Sequence, residues 1–253
     1  AGATYIRQPI SLPLTSKEAF IEEFWKGYSA KTKVVFISQI TSSTALIFPV
    51  KEICEEAKKR GLITIVDGAH VPGHIDLNLA ELQADFYTGA CHKWMMTPKG
   101  CSFLYAKPEF QTMLDPLIIS WGYQSAAPSQ SQFFDYHQFN GTRDFSAYLT
   151  IPKALAFMEQ HDWKRVSDDC KNNLLEVAPK LFELLNTKPL APLTKAFFGQ
   201  MCSAEIKTTE PEKLQRLLFE KYRIEIPVMR HADKCYIRFS FQAFKTTEEI
   251  DYL

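Results

Sequence analysis

Strand and helix patterns alternate in the first half of the chain, and this alternation restricts the fold more than any other feature. Residues 33–38 form an apolar run typical of a buried strand, and residues 62–66 form a second run that ends at Asp67. Between them, apolar residues recur at helical spacing from Val50, and Gly61 stands where such a helix would end. This strand–helix–strand order with short loops predicts a right-handed crossover between parallel strands.

Two side chains with reactive groups follow strands of this predicted sheet. Asp67 comes directly after the strand at 62–66, and Lys93 follows the strand that begins at residues 85–88. Because ligands of α/β sheets bind beyond the carboxyl ends of the strands, we expect both side chains at one ligand-binding edge. A further run at residues 100–105 predicts another strand.

Each of these two residues has a structural interpretation beside the functional one. Asp67 precedes a Gly-Ala pair and can face a ligand, although capping the next turn is the commoner role of such an aspartate. Lys93 lies among Cys91, His92 and Trp94, and an apolar setting favours a neutral, nucleophilic amine, whereas most lysines extend into solvent. Together the two residues supply what a pyridoxal phosphate site requires, which is a lysine that bonds to the aldehyde and an acid that keeps the pyridine nitrogen protonated.

Arg238 is a third candidate, within the alternating pattern of residues 235–241. It shares one side of the predicted strand with Tyr236 and Ser240. A guanidinium in this position can bind a carboxylate through two parallel hydrogen bonds. An ion pair on the face of a strand is the commoner role of a single arginine, and both interpretations stay open at this point.

A metal site is the competing hypothesis for the segment that begins at Asp67. Asp67, His70 and His74 follow a D-x-x-H-x-x-x-H spacing, which could supply ligands if a helix brought both histidines to one face. Pro72 and Gly73 interrupt any such helix. We therefore predict no metal at this segment.

The remainder of the chain predicts connecting segments and further elements. Residues 108–141 are rich in aromatic side chains, and such a long segment either covers a site or a subunit contact or packs on its own core. The other expected elements are a first strand at 4–7, a helix at 17–27 capped by Ser16, helices at 146–160 and 163–185, a strand at 201–207, a helix at 211–221, strands at 224–228 and 235–241, and a helix from Thr246.

A domain boundary is expected within the long helical connector. The chain of 253 residues is long enough for one large domain or two modest ones. We expect residues 1–160 to form an α/β domain with a mainly parallel sheet. Residues 161–253 are expected to form a smaller α+β domain.

Composition argues against several classes of protein. The 29 basic and 29 acidic residues leave no net charge, so no basic surplus points to nucleic acid. No apolar run approaches the roughly 20 residues of a membrane span, and the first residues lack the pattern of a signal peptide. The six cysteines contain no CxxC pair, which favours free thiols in a reducing compartment, and we expect a cytoplasmic protein.

The motifs resemble the class V aminotransferase family of fold-type I pyridoxal 5′-phosphate enzymes, and within it isopenicillin N epimerase-like proteins. The resemblance rests on DGAH from Asp67, DFYTGACHKW from Asp85, and then PKG and FLY. It extends over the whole chain through SQITSSTALIFPV, NGTRDFSAYL, RIEIPV and IRFSFQAF. It implies part of a PLP-transferase large domain, a small C-terminal domain, a homodimer and an amino-acid substrate.

The resemblance also implies a role for each matching residue. Lys93 would bind the cofactor covalently and act as the catalytic base, Asp67 would pair with the pyridine nitrogen, and Arg238 would hold the substrate carboxylate. The other implied cofactor contacts are His70 near the phenolic oxygen, His92 at the phosphate, Ser42 where many relatives have asparagine, and Gly141 and Thr142 across the dimer interface. Ala90 replaces a phosphate-binding serine, so Thr88 is expected to compensate.

The reaction is left open by the sequence. Epimerisation, transamination and C–S bond cleavage in a cysteine derivative are all compatible with the resemblance, and so is a non-catalytic family member. The persulfide route of cysteine desulfurases is disfavoured, because residues 226–230 contain no cysteine. In the family a segment before residue 1 supplies a phosphate-binding loop and a ring that stacks on the cofactor. We therefore expect that residues 1–253 alone bind pyridoxal phosphate weakly.

Overall fold

The computed structural model describes residues 2–253 and contains a mixed sheet, a smaller antiparallel sheet and a long helix between them. The larger sheet has the order β1–β2–β3–β4, with β1 parallel to β2, β2 parallel to β3, and β4 antiparallel to β3. The four strands are β1 (Val34–Ser38), β2 (Ile63–Asp67), β3 (Phe86–Ala90) and β4 (Ser102–Ala106). The predicted α/β fold with a mainly parallel sheet is therefore confirmed.

The crossover between β1 and β2 forms as the periodicities predict. Alternate residues of both strands are buried, and the helix α2 (Val50–Lys59) buries four residues on one face, namely Val50, Ile53, Cys54 and Ala57. Gly61 follows the last turn with φ +67, a left-handed conformation that glycine adopts without steric cost. Burial of one helical face against alternating strand residues is what fixes this unit.

A buried carboxylate joins three strands at the end of the sheet away from Asp67. Asp85, just before β3, accepts hydrogen bonds from the backbone N–H of Thr64 at 2.8 Å and from its hydroxyl at 3.0 Å. Lys107, just after β4, donates to the other carboxylate oxygen at 2.7 Å. This network ties β2, β3 and β4 together and sets the register in which their other ends meet.

The remaining helices up to residue 184 precede β1, join strands of the larger sheet, or lead from it to the smaller sheet. They are α1 (Lys17–Trp25), α3 (Leu79–Leu82), a 3₁₀ turn (Pro108–Met113), α4 (Gln132–His137), α5 (Ser146–Leu149), α6 (Ile151–Gln160) and α7 (Trp163–Leu184). The single helix expected at 146–160 is wrong, because the chain breaks at Thr150 into α5 and α6. Pro152 has no N–H to continue the earlier helix, and the Thr150 hydroxyl bonds the Ala147 carbonyl instead at 2.7 Å.

The smaller sheet has the order β5–β7–β6 and is antiparallel throughout. Its strands are β5 (Met201–Ile206), β6 (Val228–His231) and β7 (Lys234–Ser240), with α8 (Pro211–Tyr222) and α9 (Thr247–Tyr252) beside them. The strand expected at 224–228 is wrong, since pairing starts only at Val228. Pro227 offers no N–H to a neighbour, and the N–H of Val228 bonds the side chain of Gln215 at 3.1 Å.

The strand expected at residues 4–7 is also wrong. This segment has no paired strand in the structure, and Tyr5 and Ile6 are exposed. Without a neighbouring strand, the backbone groups of residues 4–7 cannot be paired in a sheet. The helix after it does form, and Ser16 caps it by accepting the N–H of Ala19 as expected.

One apolar core reaches both sheets. The buried face of α7, including Leu174 and Ala178, packs in the same cluster as Val66 of β2 and Met201 of β5. The division into units at 160/161 stays a prediction. Among residues 2–253, no helix combines the length and the apolar composition needed to cross a bilayer.

Candidate active site

The carboxyl ends of β1, β2 and β3 meet at one edge of the larger sheet. Asp67 is in register with Ser38 of β1 and Thr88 of β3. The turn that follows β3 carries His92 and Lys93 at the same edge. The expectation that the acid and the lysine lie at one edge therefore agrees with the strand topology.

Asp67 begins a tight turn that glycine makes possible. One carboxylate oxygen accepts the N–H of Ala69 at 2.9 Å, so the capping interpretation is correct for that oxygen. The other oxygen makes no hydrogen bond to the described part of the chain. A Cβ at Gly68 would overlap the Tyr87 hydroxyl, which itself donates to Gln39 at 2.8 Å. The buried Tyr87 thus packs against the turn at Gly68. One oxygen of Asp67 stays available to a ligand.

Lys93 is half-buried and lies against His70. Its Nζ is 3.2 Å from His70 Nε2. Burial lowers the pKa of Lys93, with the charge of Asp67 acting against this shift and that of Arg238 adding to it. Burial, reinforced by Lys93, lowers the pKa of His70 to about 3, so this imidazole is neutral near pH 7. The amine therefore faces an uncharged ring.

His70 is held from its other side by Trp94 and His74. The indole N–H of Trp94 donates to His70 Nδ1 at 3.4 Å, and the Trp94 and His74 rings stack with centroids 4.1 Å apart. His74 donates from Nδ1 to the His70 carbonyl at 2.9 Å and accepts the N–H of Gln200 at Nε2. Both ring nitrogens of His74 are thus used in hydrogen bonds, and the D-x-x-H-x-x-x-H spacing serves packing in this structure.

Arg238 reaches this edge from β7 of the smaller sheet. Its Nη1 donates to the carbonyl of Ser42 at 2.6 Å and to the Ser42 hydroxyl at 3.1 Å. Its Nε is buried and has no hydrogen-bond partner among the described residues. Burial lowers the pKa of the guanidinium. A buried donor without a partner is costly, so this group is suited to an anionic ligand.

The predicted phosphate contacts are more dispersed. His92 is half-buried and its Nδ1 lies 3.0 Å from the Cys101 carbonyl, while Thr88 is exposed on β3. Gly141 and Thr142 lie in a turn before α5, and no hydrogen bond within residues 2–253 joins them to Lys93. The single chain therefore brings together Asp67, His70, Lys93, Ser42 and Arg238. The roles implied for Gly141 and Thr142 stay a prediction.

Sequence reasoning missed three residues that shape the site. Trp94 was noticed only as an apolar neighbour of Lys93, His74 only as a possible ligand, and Tyr87 not at all. Their roles depend on contacts with His70 and Gly68 that local periodicity does not encode. The one available signal was the absence of a side chain at Gly68, which is typical of close approach by another group.

A profile of the aminotransferase class-V family matches residues 12–253 of the chain. The chain belongs to the class-V aminotransferase family. Enzymes of this family depend on pyridoxal phosphate, and the resemblance noted in the sequence is confirmed.

Relatives in the family include epimerases and desulfhydrases. The isopenicillin N epimerases of Amycolatopsis lactamdurans and Streptomyces clavuligerus are 30% and 33% identical, over 98% and 88% of this chain and 64% and 59% of their own lengths. An L-cysteine desulfhydrase of Arabidopsis thaliana is 23% identical over 100% of this chain and 61% of its own length. The chain thus spans about three fifths of the length of these three relatives.

Solved structures support the fold. A cysteine desulfurase from Thermococcus onnurineus NA1 matches with a TM-score of 0.72 and 21% identity, over 87% of this chain and 57% of its own. The cysteine desulfurase CsdA of Escherichia coli matches with a TM-score of 0.73 and 15% identity, over 92% and 60%. At these identities the likeness establishes the architecture alone.

Proposed function

We propose that this protein is a pyridoxal phosphate-dependent enzyme that acts at the α-carbon of an amino acid, in the manner of an isopenicillin N epimerase. The observation that carries the proposal is the setting of Lys93. Its amine lies 3.2 Å from a neutral imidazole and within electrostatic reach of both Asp67 and Arg238. A nucleophilic amine, an acid and a carboxylate-binding cation are the three groups that such a site combines.

The residues of this chain fit the cofactor in chemical type. Lys93 has an amine whose lowered pKa favours the nucleophilic form. Asp67 has a carboxylate oxygen without a partner in residues 2–253, which can accept the N–H of a protonated pyridine. His70 and Ser42 would contact the ring, and His92 with Thr88 would bind the phosphate. When bound, pyridoxal phosphate supplies an electron sink that stabilises negative charge at the substrate α-carbon.

The roles of the chain's own groups follow from their positions. Arg238 would bind the substrate carboxylate, using the buried Nε that lacks a partner. Lys93 would remove the proton from the α-carbon and would return it on either face, because a flexible amine can move between the two sides. His70 would keep an N–H directed at the lysine side of the pocket, and Asp67 would balance positive charge on the ring nitrogen.

Cleavage of a C–S bond is the second candidate reaction. It is favoured by the desulfhydrase relative, and it would proceed without a protein thiol. All six cysteines are buried, and Cys235 lies within β7 only three residues from Arg238. No accessible thiol in residues 2–253 could therefore take up sulfur.

A homodimer belongs to the same proposal. Gly141 and Thr142 would reach the phosphate of the other subunit, as the family resemblance implies. The aromatic segment also exposes large side chains, since Leu117, Ile119 and Trp121 are 103%, 64% and 86% exposed. Burial of such a group against a second copy would remove apolar surface from water.

The test is replacement of Lys93 by alanine in the full-length protein, with exposed Lys99→Ala as the matched control. The wild type and the control should show the absorbance of lysine-bound cofactor. Borohydride should discharge this colour and leave the cofactor covalently attached to both proteins. Lys93→Ala should show neither the absorbance nor the covalent attachment. Parallel assays of epimer formation, pyruvate and sulfide separate the two reactions. Colour retained in Lys93→Ala would refute the assignment, and colour without turnover of any amino acid would identify a non-catalytic family member.

A further inference from the structure

We propose that Trp94 is a positioning residue that holds His70 in the tautomer with its N–H directed at the amine of Lys93. The inference deepens the proposed function and rests on it, because the charge of Lys93 matters to catalysis only if this amine binds the cofactor. It concerns a contact between two side chains of the chain itself, and it can be tested without cofactor.

The hydrogen-bond types of the three groups fix the direction of each bond. An indole nitrogen can only donate, and Trp94 directs its N–H at His70 Nδ1 at 3.4 Å. A neutral imidazole carries one N–H, so a ring that accepts at Nδ1 has its proton on Nε2. Nε2 lies 3.2 Å from Lys93 Nζ. The only partner that can accept this N–H is the lone pair of an uncharged amine.

Trp94 is itself held firmly. Its ring stacks on His74 with an angle of 27° between the planes, and both residues are buried. The backbone carbonyl of Trp94 lies so close to Gly73 that a Cβ there would be 2.6 Å from it. His74 is fixed by its bonds to the His70 carbonyl and to the N–H of Gln200. The indole therefore cannot turn away from His70 without breaking this packing.

The consequence for Lys93 is a bias against its charged form. An ammonium group would point an N–H at the N–H of His70, and two donors would face each other. Three other influences act on the amine. Burial and the positive charge of Arg238 also disfavour the charged form of Lys93, whereas the negative charge of Asp67 favours it. Through His70, the indole of Trp94 thus adds to the effect of burial and of Arg238 on the amine, although it makes no hydrogen bond to Lys93 itself.

Removal of the indole N–H should release this bias. In Trp94→Phe the aromatic ring remains against His74, but His70 Nδ1 loses its donor. The imidazole is then free to carry its proton on Nδ1 and to accept a hydrogen bond from a charged Lys93 at Nε2. The charged amine gains a partner, and the amine pKa should rise.

The control removes an indole hydrogen bond that reaches the same loop from another part of the chain. Trp163 donates its indole N–H to the carbonyl of Gly73 at 3.0 Å. Trp163→Phe therefore makes the same chemical change against the 70–74 turn without affecting the tautomer of His70.

The first measurement is the proton–nitrogen NMR spectrum of the histidine rings in isotope-labelled, cofactor-free protein, with His70 assigned by its loss in His70→Gln. We expect the Nε2–H tautomer in the wild type and in Trp163→Phe, and a shift towards Nδ1–H in Trp94→Phe. The second is the pH dependence of reaction between Lys93 and an aldehyde. Trp94→Phe should react about fivefold to tenfold more slowly at neutral pH, as expected for loss of one hydrogen bond.

Several outcomes would overturn the inference. A His70 ring protonated at Nδ1 in the wild type contradicts it even if Trp94→Phe does not fold. An unchanged tautomer in Trp94→Phe contradicts it as well. Glutamine has no tautomers, so Trp94→Phe should have no effect on Lys93 in a His70→Gln background, and a persisting effect would show a different cause. Failure of the proposed function is detected by a different experiment. If Lys93 does not bind the cofactor, the Lys93→Ala variant keeps its colour.

Discussion

Replacement of Asp85 by asparagine should destabilise the protein far more than replacement of Glu205 by glutamine, although the two ion pairs have the same length. Lys107 lies 2.7 Å from Asp85, and Lys234 lies 2.7 Å from Glu205. The side chains of the first pair are 18% and 11% exposed, whereas those of the second are 44% and 36% exposed. The two changes therefore break ion pairs of equal length in two environments, and Asp85→Asn also disturbs the bonds from Thr64.

The expected magnitude follows from the partners of Asp85. Its carboxylate accepts from both Thr64 and Lys107, and an asparagine cannot serve both, because its amide N–H₂ would face a donor in either orientation. A mostly buried lysine then loses its counter-charge, which costs about 3 kcal/mol. The exposed pair is screened by water, so Glu205→Gln should cost less than about 1 kcal/mol.

Urea unfolding of the two variants measures this difference directly, provided that the slope with urea is unchanged. A double variant, Asp85→Asn with Lys107→Met, should recover part of the loss, since it removes the unpaired charge. Equal destabilisation by Asp85→Asn and Glu205→Gln would refute the view that burial, and not distance, sets the strength of these pairs.

Three further predictions concern the site. Arg238→Lys keeps the charge but loses the two-point geometry, and it should raise KM for the amino acid on the order of tenfold to a hundredfold with a smaller effect on kcat, as steady-state kinetics would show. Gly68→Ala should force Tyr87 to move and destabilise the protein by about 1–3 kcal/mol in urea unfolding, with loss of cofactor affinity if the turn of Asp67 shifts. Burial lowers the pKa of His74 to about 3, so between this value and about 6.5 only the unfolded chain binds the proton. His74 should therefore lower the free energy of unfolding by about 1.4 kcal/mol per pH unit below pH 6.5, and His70, whose pKa is lowered to about 3 as well, should add a similar amount. His74→Gln should remove about half of this combined slope.

The local sequence pattern was sufficient to predict the strands and the helix that hold the residues proposed to bind the cofactor. The run before Asp67, the helix that ends at Gly61 and the run before Lys93 each encode their structure within about ten residues, through apolar spacing and a glycine stop. Because parallel strands present their carboxyl ends at one edge, topology alone brought the acid and the lysine to the same side of the sheet. The same local signals misplaced the strand near Pro227 and missed the break at Thr150, where a missing proline N–H decided the outcome.

The rest of the site depends on contacts between distant parts of the chain. Ser42 and Arg238 are separated by 196 positions, and the N–H of Gln200 meets His74 across 126 positions. No periodicity in one sequence predicts such pairs, since each arises from the way the smaller sheet packs against the larger one. The backbone of Leu46, for example, pairs with Phe198 just before β5. These contacts form only when the whole chain is folded.

This dependence has a consequence for substrate binding. Arg238 already donates to the carbonyl and the hydroxyl of Ser42 through Nη1, while its Nε lies buried without a partner in the described chain. If Arg238 binds the substrate carboxylate as proposed, a two-point contact must either displace Ser42 from Nη1 or use Nε, which is buried in this structure. Where Ser42 is displaced, substrate affinity would be a difference between two sets of hydrogen bonds, and the loop that contains Ser42 would take part in selecting the ligand although it contributes no charge.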